Sequence, residues 1–468
     1  MNLTQIFIFV ALGLSAGRLY KLVSRGWLLF VASVLAVFWL QPASLIRNLP
    51  FVLPVASLGL ATAVWALTLP REVKVNRQDW SAAGALAGLA LLVSAARFVE
   101  PLSALFAARP PALVFAAISV SGILLLGSVC WLLRGQKFAI HIAALLIIAI
   151  LVVLKWPAQA QAASGFLRSM AGQDPALAGP LDIGWLGFSY IAFRLIHVLR
   201  DRTAGRLPAI SLRDFVTYIV FFPTLTSGPI DRVDRFTPQM HGESLLGNDQ
   251  FLAAGRRLVT GLFMKFILAD ALAYFALNPT NAWQVQSSGW MWIILAAYSF
   301  RIFFDFAGYT HIAIGLGMLF GVVLPENFNR PYLKQNITAF WNSWHMTLTQ
   351  WVRSYYFNPV TRWLREHNVS TFAVILLGQL STMMLIGLWH GITWNFVTWG
   401  LWHGAGLFIH NQWTSFARTR NLQSSSPRLL VHLSMLFTFT FVTISWVWFA
   451  LPQPVDVARV VRMLLGGN

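Results

Sequence analysis

The chain has 468 residues, of which 57% are hydrophobic and only 11% are charged, and its mean hydropathy is +0.64. Soluble domains carry about 25% charged residues, so this composition excludes an ordinary soluble protein and predicts an all-α polytopic integral membrane protein. The net charge of +18 would suggest nucleic acid in a soluble chain. Here the basic residues lie in short loops between apolar segments, which predicts membrane lipids with anionic headgroups as partners and no nucleic acid.

The first 157 residues predict about six transmembrane helices, which we interpret as a scaffold. Basic residues follow the first, third and fifth predicted spans, whereas the connector at 158–182 is rich in alanine, glycine and glutamine. The positive-inside rule therefore places the basic loops in the cytoplasm and the connector outside. Because no basic residue precedes the first apolar segment, we predict a retained first helix with an extracytoplasmic N-terminus instead of a signal peptide.

Residues 214–236 contain Pro223 and Pro229, which a single regular helix does not tolerate. Broken helices at membrane depth occur where protein buries them or where they line a cavity. We therefore predict an interrupted helix here, with Arg232 and Arg235 at the cytoplasmic interface near an opening.

Arg301 and Asp305 lie four residues apart in an apolar stretch, so a helix would place them on one face, where they can form an ion pair. A charge pair at membrane depth is either an internal structural tie or a substrate contact. The sequence leaves both interpretations open.

Three histidines follow, His345, His390 and His403, and each comes directly after a tryptophan. A polar group at membrane depth is costly and usually faces the protein interior or a wet cavity. Histidine is also the side chain best suited to accept a proton near neutral pH. We predict that residues 341–356 form one short re-entrant or interfacial helix and that residues 372–389 span the membrane. The sequence has neither an HExxH motif nor paired cysteines, so we predict no metal site.

Four stretches in a fixed order resemble a known family: GFSYIAFRLIHVLRD, FFPTLTSGPIDRVDRF, FRIFFDFAGYTHIAIGLGMLFG with PENFNRPYL, and WNSWHMTLTQWVRSYYFNPV followed by GLWHG. They resemble the membrane-bound O-acyltransferase (MBOAT) family, on its bacterial DltB/AlgI-like branch, and cover roughly residues 183–410. The resemblance implies a helical core of re-entrant and broken helices around a central tunnel, here with extra N-terminal helices.

The predicted domain organisation has four regions. They are the N-terminal transmembrane helices (1–157), the extracytoplasmic connector (158–182), the MBOAT catalytic core (183–450) and an interfacial C-terminal tail (451–468).

The resemblance also implies an activity, the transfer of a small acyl group, D-alanyl or acetyl, across a bacterial inner membrane. The donor would be a cytoplasmic thioester, either acetyl-CoA or the phosphopantetheine of an acyl carrier protein, and no cofactor would be tightly bound. The acceptor would be a hydroxyl of an extracytoplasmic envelope polymer or glycan. The resemblance leaves open whether an extracytoplasmic acyltransferase partner completes the transfer.

The family motifs map the catalytic histidine to His390 and a second histidine to His345. A hydroxyl is a weak nucleophile at neutral pH, so a base that takes its proton makes attack on a thioester feasible. The resulting oxyanion needs a hydrogen-bond donor, and the sequence does not choose between His345 and Asn342. We expect Trp389 and Trp344 to wall the tunnel.

Two other functions compete with this hypothesis. A lipid or protein acyltransferase that uses acyl-CoA would share the chemistry but place the ester elsewhere. A transporter or channel would use the broken helices and the pair formed by Arg301 and Asp305 for translocation.

Overall fold

The computed structural model describes residues 1–20, 23–241, 247–420 and 428–467, and within these ranges it is 75% helical and contains no strand. Seven helices are long and apolar enough to cross a membrane: Leu49–Thr68, Arg77–Phe98, Leu113–Leu132, Lys137–Lys155, Ser288–Leu319, Thr371–His390 and Arg428–Ala450. Two shorter helices, Leu3–Ala16 and Arg25–Trp39, are also apolar. These helices confirm the prediction of an all-α polytopic membrane protein.

The chain divides into two compact units. The first comprises Met1–Arg256 with Ala313–Leu324, and the second comprises Arg257–Ile312 with Pro325–Asn468.

The α-helices that begin in the first unit are α1 Leu3–Leu19, α2 Arg25–Trp39, α3 Leu49–Thr68, α4 Arg77–Ala95, α5 Glu100–Ser103, α6 Leu113–Leu132, α7 Lys137–Lys155, α8 Pro157–Met170, α9 Phe188–Thr203, α10 Leu212–Val220, α11 Val233–His241 and α12 Asn248–Phe263. Helix α3 is apolar on all sides and 83% of its most apolar window is buried, because α6, α9 and α10 pack against it. Asn76 and Asp79 form a capping box that starts α4, and Asp79 also accepts a hydrogen bond from the Leu212 amide (2.9 Å).

The charge-poor connector contains a helix that the sequence analysis did not predict. Helix α8 covers its first part. Asp182, at the end of the connector, packs back on this helix and accepts hydrogen bonds from Ser164 Oγ (2.7 Å), Arg168 Nη2 (2.9 Å) and the Gly179 amide (3.0 Å). The Gly179 amide, then Ser164 and Arg168, lower the pKa of Asp182.

The interrupted helix predicted at 214–236 is confirmed. Helix α10 ends at Val220, a 3-10 turn covers Phe222–Thr224, and α11 begins at Val233. Pro223 lies in the 3-10 turn, and Pro229 lies in the extended stretch that follows.

The α-helices that begin in the second unit are α13 Asp270–Ala273, α14 Asn281–Gln284, α15 Ser288–Leu319, α16 Ile337–Trp341, α17 Met346–Val352, α18 Asn358–Glu366, α19 Thr371–His390, α20 Trp394–Thr419, α21 Arg428–Ser445, α22 Val447–Ala450 and α23 Pro454–Leu464. Helices α19 and α20 make the most extensive helix–helix contact. A Cβ atom added at Gly400 would lie 2.7 Å from the Met383 carbonyl oxygen, so the small residue permits the close approach.

The prediction of one short helix over residues 341–356 was wrong. Helix α16 ends at Trp341 and α17 begins at Met346, and a π-helical turn, Arg353–Phe357, then leads into α18. The helix breaks because His345 adopts a left-handed backbone conformation, with φ of 44°.

Candidate active site

The turn that carries His345 is held by one residue, Asn327, through its backbone and its side chain. The Asn327 backbone carbonyl oxygen accepts from the Met346 amide (2.9 Å), and the side-chain Oδ1 accepts from the Thr347 amide (3.2 Å) and hydroxyl (2.8 Å). A left-handed backbone is uncommon for residues other than glycine, and it persists where surrounding contacts fix it. Asn327 therefore supplies the contacts that keep His345 at the break between α16 and α17.

The same side chain determines which nitrogen of His345 carries the proton. Nδ1 of His345 lies 3.1 Å from Asn327 Oδ1, which is an acceptor, so Nδ1 is the donor. In a neutral imidazole the other nitrogen, Nε2, then holds a lone pair. This Nε2 is buried and has no hydrogen-bond partner within the described ranges. The site thus contains a buried ring nitrogen whose lone pair has no partner in the described part of the chain.

Trp389 connects the two predicted catalytic histidines. Its ring centroid lies 6.2 Å from that of His345 and 4.6 Å from that of His390, in edge-to-face contacts. The structure therefore brings together three of the predicted site residues within the second unit.

His390 is the last residue of α19 and lies in an aromatic surround. Besides Trp389, its ring contacts Phe396 (5.8 Å), Trp399 (5.7 Å) and Phe449 (4.8 Å). Rings on several sides restrict the orientations that the imidazole can adopt, which favours a fixed geometry for proton transfer.

A cavity of about 180 Å³ lies in the same unit, and Asn342 lines it together with Arg353, Gln379 and Thr382. Arg353 donates to Asn342 Oδ1 (2.6 Å), so the NH₂ group of this asparagine remains as a donor. Gln379 Oε1 and Thr382 Oγ1 are buried and lack a hydrogen-bond partner in the described chain. The cavity therefore offers unsatisfied polar groups to a ligand.

Trp344 occupies a different position from Trp389. It is 5% exposed and packs against Phe328, Phe340 and Trp446 at centroid distances of 5.1, 5.6 and 5.3 Å. These aromatic contacts fix the ring of Trp344, which directly precedes His345 in the chain.

The predicted ion pair between Arg301 and Asp305 is not the one that forms. In the described residues Asp305 pairs with Lys265, and no ion pair joins it to Arg301. Spacing along α15 allowed either outcome, and Lys265 comes from a π-helical turn, Met264–Ala269, that the sequence analysis did not identify.

Arg232 and Arg235 lie in the first unit and form an ionic network there. Arg232 binds Asp201 (3.2 Å) and Asp234 (3.0 Å), and Arg235 lies 3.9 Å from Asp231. Both arginines are 45% exposed, whereas the Asp231 carboxylate is 4% exposed. Burial raises the pKa of Asp231 to about 6, against the lowering effect of the Arg235 charge.

His403 is fully buried and both of its ring nitrogens have partners. The Trp341 indole donates to Nδ1 (3.3 Å), and Nε2 lies 2.9 Å from Ser445 Oγ. It therefore has no nitrogen available for a substrate in this arrangement.

Four residues of the candidate site were not predicted from the sequence: Asn327, Arg353, Gln379 and Thr382. Asn327 lies in the PENFNRPYL stretch, which was used only for the resemblance to the family. Gln379 and Thr382 are polar residues three positions apart in an otherwise apolar span, which is the signal that could have identified them.

Comparison with known proteins places these residues in a family. The family model described as "MBOAT, membrane-bound O-acyltransferase family" matches residues 141–451. The site residues in both units lie within this range, whereas most of the N-terminal helices lie outside it.

Several curated proteins are similar to the chain. A probable alginate O-acetylase AlgI from Azotobacter vinelandii is 34% identical over 278 residues, which is 58% of this chain and 52% of that protein. A teichoic acid D-alanyltransferase from Streptococcus thermophilus is 30% identical over 296 residues, covering 59% and 71% of the two chains. A peptidoglycan O-acetyltransferase from Helicobacter pylori is 33% identical over 261 residues, covering 54% and 47%. The match thus spans about half the length of the two O-acetylating relatives.

Proposed function

Because the chain belongs to the membrane-bound O-acyltransferase family, we propose that it transfers a small acyl group from a cytoplasmic thioester to a hydroxyl of an extracytoplasmic envelope polymer or glycan. The observation that carries this proposal is the pair of histidines, His345 and His390, which both contact the ring of Trp389. The curated relatives, which are named for alginate, teichoic acid and peptidoglycan, support an envelope polymer as the acceptor.

In the proposed reaction His390 takes the proton of the acceptor hydroxyl as its oxygen attacks the thioester carbonyl. The tetrahedral intermediate then collapses, the carbon–sulfur bond breaks, and the imidazolium returns the proton to the leaving thiolate. A positioned base typically contributes about 10²–10⁴-fold to such a step. The products are the ester and a free thiol.

For His345 we propose the role of hydrogen-bond acceptor toward a second hydroxyl of the acceptor, because the reacting hydroxyl has a single proton and gives it to His390. Its Nδ1 proton is engaged by Asn327, so its free nitrogen accepts and does not donate. This argues against His345 as the oxyanion donor. Asn342 keeps its NH₂ group as a donor and is our candidate for that role.

The 180 Å³ cavity is our candidate for the thioester donor's arm. Gln379 lies 11 residues before His390 on α19, which corresponds to about 16 Å along the helix axis. The pantetheine arm of both acetyl-CoA and a carrier protein contains two amide groups, and these match the unpartnered oxygens of Gln379 and Thr382. We propose a bacterial inner membrane as the location, with the donor side in the cytoplasm and the N-terminus outside.

The test compares ester content of envelope glycans, by NMR and mass spectrometry, in cells that carry wild-type protein, His390→Ala or His345→Ala at equal expression. We expect an ester in the wild type that both variants lose, and its mass identifies the acyl group. His403→Gln is the control, because it alters a buried histidine whose nitrogens are both occupied. Equal esters in wild type and His390→Ala would refute the proposal, and an ester found on lipid or protein would assign a different acceptor.

A further inference from the structure

The N-terminal helices border an open cavity of about 590 Å³ in the first unit. Its walls are the last turns of α3 and α6 and the first turns of α4, including Trp65, Trp80 and Leu124. Along α6 the lining runs from Leu124 to Leu132, a depth of about 12 Å. Apart from Leu212, the lining residues lie outside the stretch that the family model matches.

The inner walls of this cavity are suited to a hydrocarbon chain. The hydroxyls of Thr62 and Ser128 donate to carbonyl groups of their own helices, at 2.9 and 2.8 Å. Asp79 uses one carboxylate oxygen for the Leu212 amide and the other for the Asn76 amide (3.1 Å). The polar groups of the wall are therefore satisfied within the protein, and an apolar ligand leaves none of them without a partner.

The rim has the opposite character, because Lys74 and Arg134 line it. Neither residue forms an ion pair in the described parts of the chain. The Arg134 guanidinium lies 3.9 Å over the Trp131 ring, and its Nη1 atom is buried without a hydrogen-bond partner. A buried guanidinium N–H without an acceptor is costly, and a phosphate oxygen would satisfy it with a charge-assisted hydrogen bond.

The cavity is also accessible from the bilayer. Only 28% of the most apolar window of α4 and 17% of that of α6 is buried, so both helices face lipid over most of their length. Trp80 and Trp131, 69% and 39% exposed, lie at the rim, and exposed tryptophans are typical of the headgroup level. An apolar chain below and an anion at the rim is the chemistry of a phospholipid.

We propose that this cavity is a specific binding site for an anionic phospholipid, with one acyl chain between α3, α4 and α6 and the phosphate on Arg134 and Lys74. The site is independent of the proposed acyl transfer, because none of the residues proposed for catalysis lines it.

The test reconstitutes the full chain in nanodiscs of phosphatidylcholine with a minority of phosphatidylglycerol, extracts it in mild detergent, and counts bound lipids by native mass spectrometry. We expect the wild type to retain phosphatidylglycerol over phosphatidylcholine, and Arg134→Gln combined with Lys74→Gln to reduce this retention about tenfold. Lys137→Gln is the matched control, since Lys137 is a nearby basic residue that does not line the cavity.

A second pair of variants tests the acyl chain. Gly127 lines the cavity, whereas Gly122 on the same helix has nothing within 4 Å of an added Cβ atom. Gly127→Leu should displace the lipid and Gly122→Leu should not, with thermal melting as the check that both variants fold. Equal retention of phosphatidylglycerol by the Arg134→Gln, Lys74→Gln double variant and by Lys137→Gln would overturn the proposal. Displacement of the bound lipid by millimolar inorganic phosphate would also overturn it, because the site would then bind the anion alone.

Discussion

His345 has one ring nitrogen, Nδ1, in a hydrogen bond, whereas Nε2 has no partner in the described residues. The acceptor oxygen of Asn327 determines that Nδ1 carries the proton. Its Oδ1 takes the Nδ1 proton at 3.1 Å, and its other contacts hold the left-handed turn beneath the ring. In the proposed mechanism Asn327 is therefore a positioning residue that acts through His345.

Asn327→Leu removes the acceptor while keeping the volume, so His345 loses its fixed tautomer and orientation. We expect kcat for acyl transfer to fall about tenfold to hundredfold. The KM for the thioester donor should change little, because the proposed donor site does not include the ring of His345. Steady-state kinetics of the reconstituted protein measure this. Asn327→Asp keeps an acceptor oxygen and should restore part of the rate. Unchanged kcat in Asn327→Leu would remove Asn327 from the site.

Asp231 makes stability depend on pH in a defined direction. Its pKa in the fold, about 6, lies above the ordinary value of 3.8, so the folded state binds its proton more tightly than the unfolded state does. The stabilisation from this carboxyl is complete below pH 3.8 and is lost as the pH rises through about 6.

The corresponding variant is Asp231→Asn, which keeps the oxygen that accepts from the Arg232 amide (2.8 Å) but cannot ionise. We expect the melting temperature of the wild type, relative to this variant, to fall between pH 4 and pH 7. Thermal melting of both detergent-solubilised proteins across this range isolates the contribution of Asp231 from other titrating groups. A constant difference would show that Asp231 is ionised throughout.

At the scale of elements, the sequence predicted what local composition determines. The span predicted at 372–389 is Thr371–His390 in the structure, because an uninterrupted apolar run fixes its own length in a membrane. The helix break at 342–345 was missed because it depends on Asn327, 18 residues earlier. Likewise Asp305 pairs with Lys265, which lies 40 residues away in the sequence. Spacing rules for a single helix cannot predict a contact between two helical segments.

The contact between α19 and α20 positions His390, since it brings Trp399 and Phe396 against the ring. A Cβ atom at Gly400 would lie 2.7 Å from the Met383 carbonyl oxygen. Because this oxygen belongs to the helix backbone, it cannot move away by a change of rotamer, as a side chain could. Gly400→Val should therefore separate the helices, lower the melting temperature and reduce acyl transfer per folded molecule. Gly88→Ala on α4 is the control, because nothing lies within 4 Å of its added Cβ and alanine favours helix. Equal melting temperatures for both variants would contradict this account of the packing.

At the scale of the whole molecule, the distribution of basic loops predicts which side of the membrane each loop faces, and the helices by themselves do not. The connector that contains α8 and the loop after α9 are predicted on opposite sides of the membrane. Arg232 is linked to this question, because it binds Asp201, three residues before Ala204, at 3.2 Å. A label at Ala204 therefore reports the side on which the arginine network lies.

Single cysteines in a Cys130→Ser background test the sidedness, since Cys130 is the only cysteine in the chain. Exposed positions suited to labelling are Glu72, Ala176 and Ala204. We expect a membrane-impermeant maleimide to label Ala176→Cys on intact spheroplasts, and Glu72→Cys and Ala204→Cys only after permeabilisation. That pattern would put the network of Arg232 at the cytoplasmic face, where the proposed thioester donor would arrive. The inverse pattern would place it outside, and the donor would then have to enter from the opposite end of the protein to the one proposed.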